Sequence, residues 1–277
     1  MMLVVVLKRL SLRMHIKACS LRRKTTNSSF TSLDEKFEEI MFLHELNTND
    51  KRLADKRPYI VSLGSVEQHG PYGPTGTDYL VQVEMIKRVE KQLPDVVFLP
   101  VTPFGPCWQQ LGFNGSVSLR ESTLYAMITD IVDSIKDNAN VILFVSWHGG
   151  NKPVIDQFLS EKAPDYAGIH MDQLTFGDDI TDEVAEKLLD GPTDDHAGNT
   201  EVALMLAVDP TITKQPQPSD EKHPISDFAW DKKVIEVRPE GVIDAHPKWV
   251  ATPEIGEKLL NIYSDNLINK IKSELRA

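Results

Sequence analysis

Acidic side chains and histidines recur in three short segments that also contain glycine: GSVEQHGPYGPTGTD (64–78), HGGN (148–151) and DDHAGNTE (194–201). Imidazole and carboxylate ligands without a thiol suit Zn²⁺, Mn²⁺ or Fe²⁺. One catalytic zinc typically takes three protein ligands, so these segments offer more ligands than one open site needs. Two ions roughly 3.5–4 Å apart could share a carboxylate, hold a hydroxide at neutral pH and polarise a carbonyl. The candidate ligands are Glu67, His69, Asp78, His148 and Glu201.

Each segment alone has a plainer explanation. A histidine in a loop after a strand is more often a hydrogen-bonded structural residue, and an aspartate before a helix, as at Asp78, usually caps that helix. The pair Gly149–Gly150 could form a tight turn or open a helix that binds phosphate. Clustering favours the metal hypothesis, because three polar segments follow apolar runs and could converge on one edge of a sheet.

Apolar runs alternate with helix-compatible stretches from residue 58 onward. This alternation predicts an α/β fold with three layers, α/β/α, around a mostly parallel central sheet. Ligands of open α/β sheets bind beyond the carboxyl ends of the strands, so Glu67, His69 and His148 should share one edge. A long loop is predicted over 209–231. The predicted strands are 58–64, 95–104, 140–147 and 166–174, and the predicted helices are 79–92, 121–137, 152–162, 181–190 (with a capping signal at Thr181), 199–207 and 253–275.

Charge divides the chain into two parts. The first 33 residues carry seven basic side chains and no acidic one, and removing those charges from the net charge of −11 leaves −18 on residues 34–277. This basic stretch resembles a transit peptide, or translation starts at Met41 and the stretch is dispensable. We therefore predict a basic leader over 1–40 and a single folded domain over 41–277.

The composition also excludes several classes of protein. The acidic body argues against nucleic-acid binding. No apolar run approaches the roughly 20 residues of a membrane span. Two cysteines, Cys19 and Cys107, are too few for a disulfide framework or a structural zinc site. We predict a cytoplasmic protein that acts on a small molecule.

Four segments together resemble the signature blocks of the creatininase (creatinine amidohydrolase) family. The resemblance spans roughly residue 42 to the C-terminus and implies an α/β/α fold, a binuclear metal centre and homo-oligomers, often hexamers. Members of this family hydrolyse creatinine, deformylate a formamidopyrimidine nucleotide, trim a peptide cofactor precursor or open an oxidised inositol ring. The four segments are GSVEQHGPYGPTGTD (64–78), SWHGGN (146–151), DDHAGNTEVALML (194–206) and GVIDAHPKWVATPEIGEKLL (241–260).

The resemblance assigns a role to each candidate ligand. It implies that Glu67 and His148 bind one metal, that His69 and Glu201 bind the other, and that Asp78 bridges the two. The cofactor expected from it is two divalent ions per chain, with Zn²⁺ first and Mn²⁺ or Fe²⁺ as alternatives.

Other positions bear on catalysis and on the substrate. His196 resembles the family's acid/base site for the leaving group. Creatininase itself has a carboxylate two residues after the histidine of the third-strand loop, where this chain has Gly150. The chain departs from the family's usual residues around 104–119 and in SWHGGN, which makes creatinine a poor candidate substrate. Trp108 and Trp147 could equally be residues that fill the core. The residues that we expect to shape the substrate pocket are Cys107, Trp108, Gln110 and Trp147.

Three functions remain open at this stage. The leading hypothesis is a metal-dependent hydrolase of a non-peptide C–N bond, in a cyclic amide or a formamide. The second keeps the metals but opens the ring of an oxidised inositol, a cyclic ketone, by C–C hydrolysis. The third is a non-catalytic metal-binding scaffold, which the complete set of candidate ligands disfavours.

Overall fold

The computed structural model describes residues 42–276, and the predicted leader, 1–40, lies outside the described residues. A four-stranded parallel sheet with the order β2-β1-β3-β4 forms its centre. The two central strands are almost wholly apolar, as expected for parallel strands that are covered on both faces. The strands are β1 (Arg57–Leu63), β2 (Val97–Phe98), β3 (Ala139–Ser146) and β4 (His170–Leu174).

Seven α-helices occur within the described residues. Six of them lie along the sheet's two faces or pack on those that do, and α6 is a single short turn. The helices are α1 (Thr77–Glu90), α2 (Glu121–Ile135), α3 (Lys152–Glu161), α4 (Asp179–Leu189), α5 (Asn199–Val208), α6 (Val234–Val237) and α7 (Pro253–Glu274).

The sheet separates two apolar clusters, because successive side chains of a strand point to opposite faces. On β1, Ile60 belongs to the cluster that contains α1, α5 and α7, whereas Tyr59 and Val61 belong to the cluster that contains α2 and α3. On β3, Leu143 and Phe144 divide in the same way. The layers are therefore helix, sheet and helix, which confirms the predicted α/β/α fold.

Two predicted strands are shorter than expected. The second covers Val97–Phe98 rather than 95–104, because the prolines at 100 and 103 cannot donate to a ladder. The fourth begins at His170 rather than at 166, because the preceding residues form a 3₁₀ turn and Gly168 adopts a φ of 82°. Both changes shorten edge strands and leave the central pair of strands intact.

Helix starts also differ from the prediction in two places. The N-cap of α4 is Asp178, whose side chain accepts a hydrogen bond from the Thr181 backbone N–H at 3.0 Å. Thr181 is therefore the third residue of the helix, the N3 position of the capping box, rather than the cap. Helix α1 has its N-cap at Gly76, which places Asp78 inside the first turn instead of at the cap. The Asp78 carboxylate is therefore available for another role.

A second, two-stranded sheet was not predicted. Strands β5 (Asp194–His196) and β6 (Ile243–Asp244) pair antiparallel, and β5 leads directly into α5. Among residues 42–276, no helix has both the length and the apolar character needed to cross a membrane.

Candidate metal centre

The candidate ligands come from four places, namely the loops after β1 and β3 and the first turns of α1 and α5. The loop after β1 carries Glu67 and His69, and its path is fixed in part by the Glu67 backbone N–H, which donates to the Thr75 carbonyl at 2.8 Å. The first turn of α1 supplies Asp78, the loop after β3 supplies His148, and the first turn of α5 supplies Glu201. The first four side chains are at least nine-tenths buried; Glu201 is 13% exposed.

The buried ligand atoms form two groups that share Asp78. In one group, His148 Nδ1 lies 3.3 Å from both Glu67 Oε2 and Asp78 Oδ2. In the other group, His69 Nε2 lies 3.3 Å from Asp78 Oδ1 and 3.4 Å from Glu201 Oε2. The ligand atoms of each group all lie within 4.8 Å of one another, so each group can surround one cation. One oxygen of Asp78 faces each group.

The histidine tautomers fit metal binding. His69 Nδ1 lies 3.0 Å from the Glu67 carbonyl oxygen, and His148 Nε2 lies 2.8 Å from the Pro106 carbonyl oxygen. A carbonyl only accepts, so each of these ring nitrogens donates its proton and the other nitrogen faces the carboxylates. Metal-binding histidines are fixed in this way by their second ring nitrogen. Consistent with this, His69 Nε2 and Asp78 Oδ2 are buried without a hydrogen-bond partner among the described residues.

The electrostatics of the cluster also require positive charge. Burial raises the pKa of Glu67 to about 7. Burial opposes the charged form of His148 as well, yet Glu67 and Asp78 outweigh it and raise the pKa of His148 to about 9. Asp78 and Glu201 likewise raise the pKa of His69 well above its ordinary value despite burial. A bound cation takes the place of these protons, which is why metal affinity and protonation compete at such sites.

Glu201 is held from both sides. Its Oε1 accepts a hydrogen bond from the Trp147 indole N–H at 3.0 Å, and its Oε2 accepts one from the Ala197 backbone N–H at 2.6 Å. Ala197 adopts a left-handed φ of 57°, a conformation that costs an alanine about 1–2 kcal/mol. A side chain at Gly198 would overlap Asp244, so only glycine fits there. The local backbone is therefore shaped to present the Glu201 carboxylate.

A buried polar network fixes the start of α5. Asp244 Oδ2 accepts from the Asn199 backbone N–H at 2.9 Å and from Lys222 Nζ at 2.6 Å. The Asn199 side-chain oxygen accepts from the backbone N–H groups of Val250 and Ala251. The segment 241–260 carries no candidate ligand, yet it is one of the four segments that resemble the family. These contacts explain its presence there, because the segment supports the first turn of α5, which carries Glu201.

His196 lies beside the two groups with a defined tautomer. Its Nε2 lies 2.9 Å from the Gln68 carbonyl oxygen and 2.8 Å from the Gln68 side-chain amide nitrogen. That amide already donates its two hydrogens to Gln110 Oε1 and the Gly241 carbonyl, so Nε2 carries the proton and donates to the Gln68 carbonyl. Nδ1 then faces Glu67 Oε1 at 3.7 Å and Glu201 Oε2 at 4.0 Å. Burial and the neighbouring His69 lower the pKa of His196 to about 4. The ring is therefore neutral at physiological pH. It can accept a proton at Nδ1, and with Glu67 and His69 it also forms a third group that could hold a metal.

A cavity of about 390 Å³ opens onto this cluster. Gln110 is 2% exposed and lines it, as do Trp147 and Cys107. Burial raises the pKa of the Cys107 thiol to about 12, so that thiol is neutral and a poor nucleophile. Trp108 is 41% exposed and is not among the residues that line the cavity. It neither fills the core nor joins the other predicted pocket residues.

Two residues of the cavity region were missed by the sequence analysis. Trp230 lines the cavity and meets the His196 ring edge-on, with ring centroids 6.3 Å apart. It belongs to the segment that we predicted only as a loop. The Gln68 amide N–H₂ donates to Gln110 Oε1 at 2.8 Å and to the Gly241 carbonyl at 2.9 Å. Gln68 lies between Glu67 and His69 in the sequence, and this position could have indicated a role in the site.

Relatives of known identity match parts of the chain. The "Mycofactocin precursor peptide peptidase" of Mycolicibacterium smegmatis is 32% identical over 97 residues, which cover 33% of this chain and 39% of that protein. The protein of the same name from Mycobacterium ulcerans is 30% identical over 119 residues, covering 39% of this chain and 48% of that protein. The chain thus spans less than half the length of these curated relatives.

Solved structures share the fold over most of the chain. The crystal structure of creatinine amidohydrolase (creatininase) superposes with a TM-score of 0.72 at 22% identity and covers 85% of this chain and 98% of that one. The structure titled "Creatininase Mn" has a TM-score of 0.68 at 21% identity, with 85% and 99% covered. The family model described as creatinine amidohydrolase matches residues 44–271. The chain therefore belongs to the creatininase family, a family of hydrolases.

Proposed function

We propose that this protein is a binuclear metal-dependent hydrolase that cleaves a non-peptide C–N bond, in a cyclic amide or a formamide, within the cavity beside His196. The observation that carries the proposal is the pair of ligand groups that share Asp78, with imidazole nitrogens facing carboxylates rather than hydrogen donors. Membership of the creatininase family supports amide-type chemistry at such a site.

The described side chains divide naturally between two ions. Glu67 and His148 would hold one ion, His69 and Glu201 the other, and Asp78 would bridge them. Ligands of this kind suit Zn²⁺ first, and Mn²⁺ or Fe²⁺ as alternatives. Solved creatininases include one named for Mn and one of the "Zn-Zn type". When bound, two such ions make water a nucleophile at neutral pH and polarise a carbonyl.

His196 is proposed to move the proton. Its neutral Nδ1 can accept a proton from the attacking water and return it to the departing nitrogen, because the Gln68 carbonyl fixes the other ring nitrogen. In the overall reaction the water oxygen joins the carbonyl carbon, the C–N bond breaks and the nitrogen leaves as an amine. Gln110 and Trp230 line the cavity and would orient the substrate.

The chain departs from creatininase at Gly150. A side chain there would overlap the Pro106 carbonyl oxygen and His148 Nε2, which are hydrogen-bonded to each other. The carboxylate that creatininase carries at this place therefore has no counterpart, and proton transfer falls to His196. We expect creatinine itself to be a poor substrate for this reason.

Peptide amides are a second candidate class of substrate. Both curated relatives are named as peptidases of a peptide precursor, although each matches over less than half its length. A peptide bond is also a C–N bond next to a carbonyl, so the same side chains would serve.

The experiment that tests the proposal is a substrate panel on metal-loaded protein. The panel contains a formamide, two cyclic amides including creatinine, a short peptide and a keto-inositol, and products are followed by mass spectrometry. We expect hydrolysis of one of the amides, lost on chelation and in Asp78→Ala. Cleavage of the keto-inositol alone would favour C–C hydrolysis. Hydrolysis that survives both chelation and Asp78→Ala would refute a metal-dependent mechanism.

Assembly into a homo-oligomer is proposed as well. Apolar side chains that a monomer would leave in water cluster in one segment, where Phe104, Trp108 and Leu111 are each more than a third exposed. Light scattering after gel filtration measures the mass. Trp108→Gln should lower that mass if this segment is an interface, and a monomeric wild-type protein would contradict assembly. The cytoplasm stays our proposed compartment, to be tested by fractionating cells.

A further inference from the structure

A second cavity of about 370 Å³ adjoins the first. The two cavities share lining residues and are therefore contiguous, so one extended ligand could occupy both at the same time. Two of the shared residues are candidate metal ligands, which places the second cavity directly beside the reacting centre. The shared residues are Trp147, His148, Gly149, Asp195 and Glu201.

The second cavity is acidic. Asp182, Asp194 and Asp195 line it in addition to Glu201. Among the described residues that line it, Lys152 carries the positive charge, and its Nζ is already bonded to Asp156 Oδ2 at 2.7 Å. Asp194 accepts hydrogen bonds from the backbone N–H groups of Gly198 and Thr200, and burial raises its pKa to about 7. The negative charge that faces a ligand here therefore comes chiefly from Asp182 and Asp195, which favour a cation over an anion.

Polar atoms in this cavity also lack partners. Thr200 is 4% exposed, and its hydroxyl has no hydrogen-bond partner among the described residues. The side-chain oxygen of Gln173 is buried and equally unpartnered. Burial together with nearby Asp178 raises the pKa of Asp182, although the charge of Lys270 opposes this shift. Buried polar atoms are rarely left unpaired, so a ligand rich in N–H donors would complete this set.

Trp147 gives the boundary between the cavities a rigid aromatic surface. Its ring packs edge-on against Tyr263 and Phe176, with centroids 5.2 Å and 5.8 Å away, and its N–H is fixed on Glu201. An aromatic face beside an acidic pocket favours organic cations, because the ring attracts positive charge.

We propose that the second cavity binds a positively charged group, a primary ammonium or a guanidinium, of an extended substrate. The cleaved bond of that substrate would lie in the first cavity. The statement about the cleaved bond rests on the proposed function, but binding of the cation does not. The inference narrows the substrate to an amide with a basic group several bonds away, which a compact ring such as creatinine does not carry.

The test compares two probes that differ in charge but hardly in shape. Nα-acetyl-L-argininamide carries a guanidinium, and Nα-acetyl-L-citrullinamide carries a neutral urea in its place. Binding to Zn²⁺-saturated protein is measured by calorimetry, so that the metal ligands are not free to attract the cation. We expect the arginine probe to bind about fivefold more tightly, since a solvent-exposed ion pair contributes up to about 1 kcal/mol.

Two variants locate the effect. Asp182→Asn should reduce the preference for the arginine probe at least about twofold, because it removes one of the carboxylates that line the cavity. Asp179→Asn is the matched control, since Asp179 lies in the same first turn of α4 but does not line the cavity. It should retain the preference.

Equal binding of the two probes, or binding of neither, would overturn the proposal. A preference that is undiminished in Asp182→Asn would also overturn it, because the cation would then bind away from this carboxylate and its cavity. None of these results touches hydrolysis, which the substrate panel tests separately. If the panel shows no metal-dependent activity but the charge preference is found, the cation site stands and the proposed function fails.

Discussion

Replacing Trp147 by Phe should weaken one metal site and leave the other unchanged. The substitution removes the indole N–H that donates to Glu201 Oε1 at 3.0 Å. It keeps an aromatic ring against Tyr263 and Phe176, so packing is disturbed little. The change therefore tests the hydrogen bond rather than the fold.

The expected size follows from the geometry. A hydrogen bond to a charged acceptor contributes about 1.5–3 kcal/mol. Glu201 keeps its second contact, the Ala197 backbone N–H, so the carboxylate is loosened rather than released. Removing the support of a metal ligand typically costs 10–100-fold in affinity, which agrees with that energy since about 1.4 kcal/mol is tenfold. The loss should fall on the ion held by His69, Asp78 and Glu201.

Competitive titration with a chromophoric chelator measures both affinities. Trp230→Phe is the matched control, because Trp230 also lines the cavity and its ring contacts His196. Among the described contacts, Trp230 has none with Glu201. We expect one weakened site in Trp147→Phe and two unchanged sites in the control. Unchanged affinities in Trp147→Phe together with an altered KM would refute the reasoning, since Trp147 would then only line the cavity.

Four further predictions address the bridging ligand, the proton-transfer residue, the backbone and the leader. Asp78→Ala should remove more metal than any other single ligand change, because Asp78 belongs to both groups; elemental analysis checks this, and one ion per fully active chain would exclude a binuclear centre. His196→Ala should lower turnover by about 10²-fold or more while both metals stay, as for a general acid or base; a metal-depleted variant rescued by excess Zn²⁺ would make His196 a ligand. Ala197→Val should destabilise the fold by about 2 kcal/mol, because a β-branched residue tolerates the left-handed φ of 57° poorly, whereas Ala197→Gly should unfold at nearly the wild-type denaturant concentration. Deleting residues 1–40 should leave metal content and activity unchanged; insoluble protein would show that the leader is structural.

The sheet and its helical layers were predictable because their signal is local and strong. Strand β3 is a run of apolar residues long enough to be buried on both faces, and β1 pairs with it over its whole length. Such runs, alternating with amphipathic helices, leave few arrangements other than a parallel sheet between helices. The same logic places the loops after β1 and β3 on one edge, which is where the candidate ligands lie.

The short elements were not predictable for the opposite reason. Strand β5 is the three-residue sequence Asp194–His196, which has no apolar alternation, and its partner β6 has two residues. Their pairing depends on contacts between segments that lie about 50 residues apart. The same holds for Trp147, whose bond to Glu201 joins residues 54 positions apart. A pattern confined to one segment cannot show such a contact.

Glycines in the ligand segments now have a physical explanation. Gly150 leaves room for the hydrogen bond between His148 and the Pro106 carbonyl, and Gly198 leaves room for Asp244 beneath the turn that carries Glu201. Each glycine permits a close contact that holds the backbone next to a candidate metal ligand in place. The candidate ligands are therefore supported by backbone groups, such as the Pro106 carbonyl, whereas the cavity is also lined by side chains that touch no candidate ligand. Substitutions of such side chains, as at Gln110 and Trp230, could change the substrate while the metal centre keeps its geometry, which is the pattern expected where one family hydrolyses many different compounds.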